Sequence, residues 1–288
     1  MKKISLTSGF LLLPIVAMAD CDEQGKCVWD CTPENSTGSC TATFEGSTLT
    51  ISGTGEMKAY NFNYQGYDGL PTSNPAPWAQ SQIIGRVNNV VIEEGITSVG
   101  AHAFEDMNYI QEVSLPNSLK VIRTEAFANM KNLEKINIPD GLTTLENYAL
   151  SSYRNNPDFS LLPSSLTSIG YYTLPLTPEE LVIPENVTHI SNNAFGGSKG
   201  VSNLKKLYCA ENLKAQCEAT ISSLQDTDKN VELVTYQKTA DGNVFYQGRW
   251  YVKANDIGTS NYIKKRIYTI DEANQVAGEV NSFKIKYR

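Results

Sequence analysis

Histidine is scarce in this chain: its 288 residues contain only His102 and His189. No His-Glu-x-x-His pair occurs, which excludes a zincin-type protease. No glycine loop ending in Gly-Lys-Ser/Thr occurs either, so a nucleotide-phosphate cradle is absent. Long apolar runs are missing beyond Phe10 to Val16, and that stretch is too short to cross a bilayer as a helix. Basic residues are the minority, 24 Lys and Arg against 31 Asp and Glu, for a net charge of −7. An acidic surface argues against nucleic acid as a partner. Catalysis by carboxylates alone needs only two placed acids, and composition does not exclude it.

What is present is a repeat. Ala-Phe falls at Ala103-Phe104 and Ala126-Phe127, degrades to Ala149-Leu150 and Thr173-Leu174, and returns at Ala194-Phe195, in steps of 23, 23, 24 and 21 residues. Four residues before each pair stand Val99, Ile122, Leu145, Ile169 and Ile190. Seven before stand Ile96, Leu119, Leu142, Leu166 and Val187, and eleven before stand Ile92, Leu115, Ile138, Leu162 and Ile183. Three aliphatic columns kept over five copies decide the fold, because each unit can bury its apolar face only against its neighbours. The period lies within the roughly 20 to 29 residues of leucine-rich repeats.

The pattern resembles the BspA-like leucine-rich repeats of bacterial secreted and surface proteins, over about residues 83–210. That family usually places Cys three residues after the Phe of Ala-Phe. Here Met107 and Met130 stand at those positions. A thioether fills the same apolar slot without leaving a lone thiol. The expected fold is an α/β leucine-rich-repeat solenoid with a parallel β-sheet on one face, a small disulfide-rich β cap before it and a β-rich module after it.

The chain divides accordingly. Residues 1–19 read as a signal peptide: Lys2 and Lys3, an apolar core, then Ala17-Met18-Ala19 before the cut. The exported chain would carry no transmembrane segment and a net charge of −9, from 22 basic and 31 acidic residues. Residues 20–82 form the cap and a connector. Alternation around Glu45-Gly46 predicts a hairpin in the cap. The connector holds Tyr60, Phe62, Tyr64, Tyr67 and Trp78, which are expected to pack over the first repeat rather than form a stacking platform. Residues 83–232 hold five to six repeats, ending in a helical stretch from Glu211 to Leu224. Residues 233–288 read as strands with one short helix opened by Asp271 and a last strand over Phe283, Ile285 and Tyr287.

All six cysteines lie beyond the signal peptide: Cys21, Cys27, Cys31 and Cys40 near the start, Cys209 and Cys217 later. An even count in an exported chain predicts disulfides. The first four allow three pairings, and a four-cysteine zinc knot is the alternative. Elimination leaves Cys209 and Cys217 to pair with each other. No metal or cofactor is expected, and the histidines, in different repeats, are expected on the surface.

Alternation in each repeat strand points one residue outward: Val91, Ser114, Asn137, Val182 and Tyr208, flanked by Glu112 and Lys135. In the fourth repeat either Ser160 or Leu161 takes that place. The column lacks an acid, which argues against a hydrolase built on this face. The resemblance implies adhesion: a non-catalytic secreted or surface protein binding a protein or glycan on a host or bacterial surface. A cell-envelope assembly protein anchored by its C-terminal module is the alternative, and an exported carbohydrate-active hydrolase a weaker one.

Overall fold

The structure, a computed structural model, describes residues 20–61, 75–79, 83–151, 162–174, 179–184, 186–195, 204–224, 231–238, 244–246, 249–251 and 268–269. The signal peptide, the connector aromatics Phe62, Tyr64 and Tyr67, the Ser160/Leu161 alternative, and the expected helix and last strand of the tail lie outside these residues.

The cap is an antiparallel run of β1 (Asp20–Cys21), β2 (Cys27–Asp30), β3 (Ser39–Glu45) and β4 (Thr48–Glu56). The predicted hairpin closes where Glu45 pairs with Thr48, and Gly46 turns the chain at φ +64°. Period-two alternation buries Cys40, Ala42 and Phe44 from β3 against Leu49 and Ile51 from β4. Disulfides Cys21–Cys27 and Cys31–Cys40 staple this small unit, which has too little core to hold itself. Those pairings remove the zinc-knot alternative. Cys209–Cys217 is the third disulfide. Three such bonds are typical of chains that mature in an oxidising compartment.

Strand β4 serves as template for the first repeat strands. Its first half pairs in parallel with β5 (Asn89–Ile92), so Leu49 stands beside Val90 and Ile51 beside Ile92. Past an irregularity at Gly55 and Glu56, its second half pairs in parallel with β6 (Ile96–Val99). The bend is carried by Gly53 at φ +125° and Gly55 at φ +86°, conformations that L side chains avoid.

Two parallel ladders grow from this fork. The first runs through β5, β7 (Glu112–Ser114) and β9 (Lys135–Ile136). A separate sheet begins with β12 (Glu180–Val182), β14 (Lys206–Ala210) and β15 (Glu232–Lys238), again paired in parallel. The second ladder runs through β6, β8 (Val121–Ile122), β10 (Thr144–Leu145), β11 (Ser168–Ile169) and β13 (His189–Ile190). The sequence pattern predicts the first ladder; the second adds a further strand to each turn.

The segments around Ala-Phe are irregular turns, yet they too form a ladder. The N–H groups of His102, Phe104 and Asp106 donate to the carbonyls of Thr124, Ala126 and Ala128 of the next turn. Glu125, Phe127 and Asn129 repeat this onto Asn147, Ala149 and Ser151. All three aliphatic columns point into the core, with Ile138 the one partly covered member. Met107 and Met130 are fully buried. Thr173 replaces Ala without an unsatisfied hydroxyl, since its Oγ1 donates to the Glu146 carbonyl at 2.9 Å.

Both ends are closed. At the first, Trp78 and Tyr60 of the connector are buried, as the packing reading expected, and Trp78 Nε1 donates to the Ala103 carbonyl at 2.7 Å. At the other, a 3-10 turn (Glu211–Leu213) leads into α1 (Lys214–Ser222). Gln216 Oε1 of α1 accepts the Ile190 N–H at 2.7 Å, the edge of the second ladder that a further turn would otherwise cover. Beyond β15 the sheet becomes antiparallel through β16 (Val244–Tyr246), β17 (Arg249–Tyr251) and β18 (Tyr268–Thr269). Among the described residues no helix is long and apolar enough to cross a membrane.

Candidate functional site

The outward positions of the repeat strands fall into two groups, one on each sheet. Near the cap, Val91 is in register with Ser114, and Glu112 with Lys135, so opposite charges lie side by side on the exposed surface. Farther along, Val182 is in register with Tyr208, and Tyr208 with Val234. The Lys206 ammonium lies 6.0 Å from the Tyr208 ring centroid and 3.0 Å from Glu232. Ser114, Glu112, Lys135 and Asn137 are exposed, while Val91, Val182 and Tyr208 are half-buried. Within each group the ladder register aligns the residues, and no cleft is needed to gather them.

Asn137 differs from its neighbours in the column. Its Nδ2 donates to the Leu115 carbonyl and its Oδ1 accepts the Leu115 N–H, both at 2.8 Å. The amide therefore extends the ladder where β9 ends and is committed to the fold. Asn137→Ala should cost about 1–2 kcal/mol, the loss of hydrogen bonds whose backbone partners are left partly unpaired. Urea unfolding would read this, and a cost below about 0.5 kcal/mol, the range of an inert surface change, would return the side chain to the free surface.

Other exposed groups also clip turn to turn. Glu94 accepts the N–H groups of Asn117 and Ser118, and those bonds hold its carboxyl below the usual range. Arg123 bridges Glu56 of the cap at 3.0 Å and Glu146 of the next turn at 3.4 Å. The second ladder sets buried Ser98 in register with half-buried Val121, Thr144 and Ser168 and with exposed His189. His189 is exposed there, as expected, with Nε2 3.2 Å from Ser191 Oγ.

A second strip escaped the sequence reading. The residue before each Ala-Phe pair takes the left-handed conformation: His102, Glu125, Tyr148, Tyr172 and Asn193, at φ between 52° and 59°. Five non-glycine residues in that region cost conformational energy, and the recurrence lines their side chains along one edge. The rings of Tyr148 and Tyr172 stack 5.5 Å apart, Tyr171 lies 4.3 Å from Tyr172, and Asn193 Nδ2 is 3.3 Å from the Tyr171 hydroxyl. Partial burial raises the Tyr148 and Tyr172 hydroxyls above their usual range.

At the other end of this strip is a titratable cluster. His102 Nδ1 lies 2.7 Å from Glu105 Oε2 and 3.9 Å from Glu125 Oε2. Glu105 is buried. Burial, then the hydrogen bond and charge of Glu105, push Glu125 up to about 7. The hydrogen bond to Glu105 raises His102, and burial raises Asp106 beside them. His102 is thus not the exposed residue expected: its φ of 55° turns the ring onto Glu105. The available signal was the spacing, since His102 and Glu125 are one 23-residue repeat apart.

Gly196-Gly197-Ser198-Lys199-Gly200 has the spacing of a nucleophile elbow. Such an elbow needs a strand leading directly into it, and residues 192–195 form a turn instead. Among the described residues no cysteine is free to act as a nucleophile.

The model of the BspA type leucine rich repeat region matches residues 84–202 and 171–247, with six copies. No curated protein matches. Among solved structures, a leucine-rich repeat protein from Eubacterium ventriosum ATCC 27560 is similar at 21% identity and a TM-score of 0.47, over 77% of this chain and 49% of that one. The T. pallidum leucine rich repeat protein is similar at 19% identity and 0.39, over 68% and 80%. A leucine rich cell surface protein from Faecalibacterium prausnitzii A2-165 is similar at 17% identity and 0.35, over 81% and 65%. The chain spans about half the length of the first of these structures.

Proposed function

The chain belongs to the BspA-type leucine-rich repeat family, and from that premise we propose that it is an exported, non-catalytic binding protein. Its ligand is a protein or glycan on a bacterial or host surface. It binds through the outward faces of the repeat strands, with Val91, Glu112, Ser114 and Lys135 on the first ladder and Val182 and Tyr208 on the separate sheet that β12 and β14 begin. The observation that carries this reading is the register of Val91 with Ser114 and of Glu112 with Lys135. It presents mixed apolar and charged side chains on a backbone already locked by ladder hydrogen bonds. Such a surface loses little conformational entropy on binding, and a solenoid face is extended enough to spread many weak contacts.

A second reading has its own observation. The rings of Tyr148, Tyr171 and Tyr172 sit together on the left-handed strip, half-buried, with Asn193 alongside. Aromatic faces with polar tips suit the alternating apolar and hydroxyl faces of a sugar ring.

One experiment tests both. The oxidised protein is presented to a glycan array and a panel of matrix and bacterial surface proteins, then followed by titration for any hit. If the sheet face binds, Ser114→Arg should weaken a hit at least about tenfold, roughly 1.4 kcal/mol, and Tyr172→Ala should leave it unchanged. The reverse pattern would move the site to the tyrosine strip. No hit on either panel, or a hit insensitive to both substitutions, overturns the binding readings offered here.

A further inference from the structure

We propose that His102, Glu105 and Glu125 form a three-ligand site for a divalent transition-metal cation of the zinc class, joining the first two turns of the solenoid. The three residues come from consecutive turns on the irregular side. His102 and Glu125 occupy the same left-handed position one repeat apart, at φ 55° and 54°. The backbone ladder holds them in register, with the His102 N–H donating to Thr124 and the Phe104 N–H to Ala126.

The donor atoms converge. One imidazole nitrogen and two carboxylate oxygens all lie within 4.8 Å of one another. Ligands about 2.0–2.2 Å from a tetrahedral zinc stand roughly 3.3–3.5 Å apart. The distances from His102 Nδ1, 2.7 Å to Glu105 and 3.9 Å to Glu125, bracket that value. Small torsions of the half-buried His102 and Glu125 side chains would seat an ion without moving the backbone. Imidazole with carboxylates suits zinc and its neighbours, whereas magnesium and calcium favour oxygen alone.

The charge balance points the same way. Glu105 is buried with a second carboxylate, Glu125, against it and Asp106 next in the chain. Two carboxylates in contact need a proton or a cation between them. The single imidazole lies against both acids and supplies at most one positive charge to the two. A divalent ion would compensate both acids at once. His102 and Glu125 are only half-buried, so the fourth coordination position opens to water or to an incoming acidic ligand group.

The test uses the full oxidised chain, with the signal peptide and any affinity tag removed, after treatment with chelator. Zinc is titrated by calorimetry and thermal unfolding, with magnesium as the control. The expected result is one zinc per chain at micromolar Kd or tighter, with Tm raised by several degrees and no shift from magnesium. His102→Gln and Glu125→Gln should each weaken zinc binding at least about tenfold. Glu125→Gln should keep the metal-free Tm at or above that of the parent, because a neutral amide fits beside the Glu105 carboxylate; loss of zinc binding then cannot be misfolding. Absence of stoichiometric zinc binding overturns the proposal. So does zinc binding that survives both substitutions, which would locate the ion elsewhere.

Discussion

Gly53→Ala should destabilise the protein by more than about 3 kcal/mol and uncouple the cap from the repeats. A Cβ at Gly53 would stand 2.0 Å from the Ser39 carbonyl oxygen of the neighbouring strand. That separation is far inside van der Waals contact, and the obstacle is backbone rather than a side chain that can rotate away. The residue also holds φ +125°, outside the left-handed region that non-glycine residues tolerate. Relief would require β3 and β4 to part at the point where β4 passes from one ladder to the other. Gly46→Ala is the matched control. It too has positive φ, +64°, but nothing lies within 4 Å of its added Cβ, so it should cost only about 1–2 kcal/mol. Denaturant midpoints of the two variants decide the matter: equal losses would mean that φ alone is being measured and that the fork is not tightly packed.

Phe127→Ala should cost about 3–5 kcal/mol, the range for removing a fully buried aromatic ring. Phe127 is inaccessible and stacks on Phe104 at 5.2 Å with planes 5° apart. Phe104 lies 5.9 Å from Trp78, which in turn meets Trp29 and Tyr60 edge-on. The aromatic column therefore runs from the cap into the second turn, and a cavity at Phe127 interrupts it where turns meet. The chain supplies its own conservative variant: Leu150 and Leu174 fill the same slot in the next two turns and are buried. Phe127→Leu should accordingly cost less than half as much as Phe127→Ala. If both substitutions cost the same, the ring stack rather than filled volume is what Phe127 contributes. Because a solenoid is stabilised turn against turn, the alanine variant should also broaden the unfolding transition.

Much of the fold was legible because its code is local and repeated. Ile92, Val99, Ala103 and Phe104 recur at fixed spacing, and every copy meets the same neighbours one period away. Periodicity alone was enough to place the outward column at Val91, Ser114 and Asn137. The hairpin at Gly46, the buried Trp78 and the Cys209–Cys217 pair were readable for a similar reason, since each rests on short-range pattern or simple counting. The second ladder was harder to see. Its strands are often two residues long, as at Thr144–Leu145, and two residues carry no alternation. The left-handed strip was equally hidden, because His, Glu, Tyr, Tyr and Asn share no side-chain chemistry; what they share is a backbone angle.

By itself the sequence determined the solenoid, its period, the buried columns and the sheet-facing residues, since burial in a stacked repeat follows directly from apolar spacing. Only the tertiary structure decided which cysteines near the start pair, how Gly53 lets one strand seed two ladders, and that Asn137 serves the backbone of Leu115. It alone brought His102, Glu105 and Glu125 together. Those facts depend on turn-to-turn contact at ångström scale and on backbone angles, and a linear pattern of apolar and polar residues encodes neither.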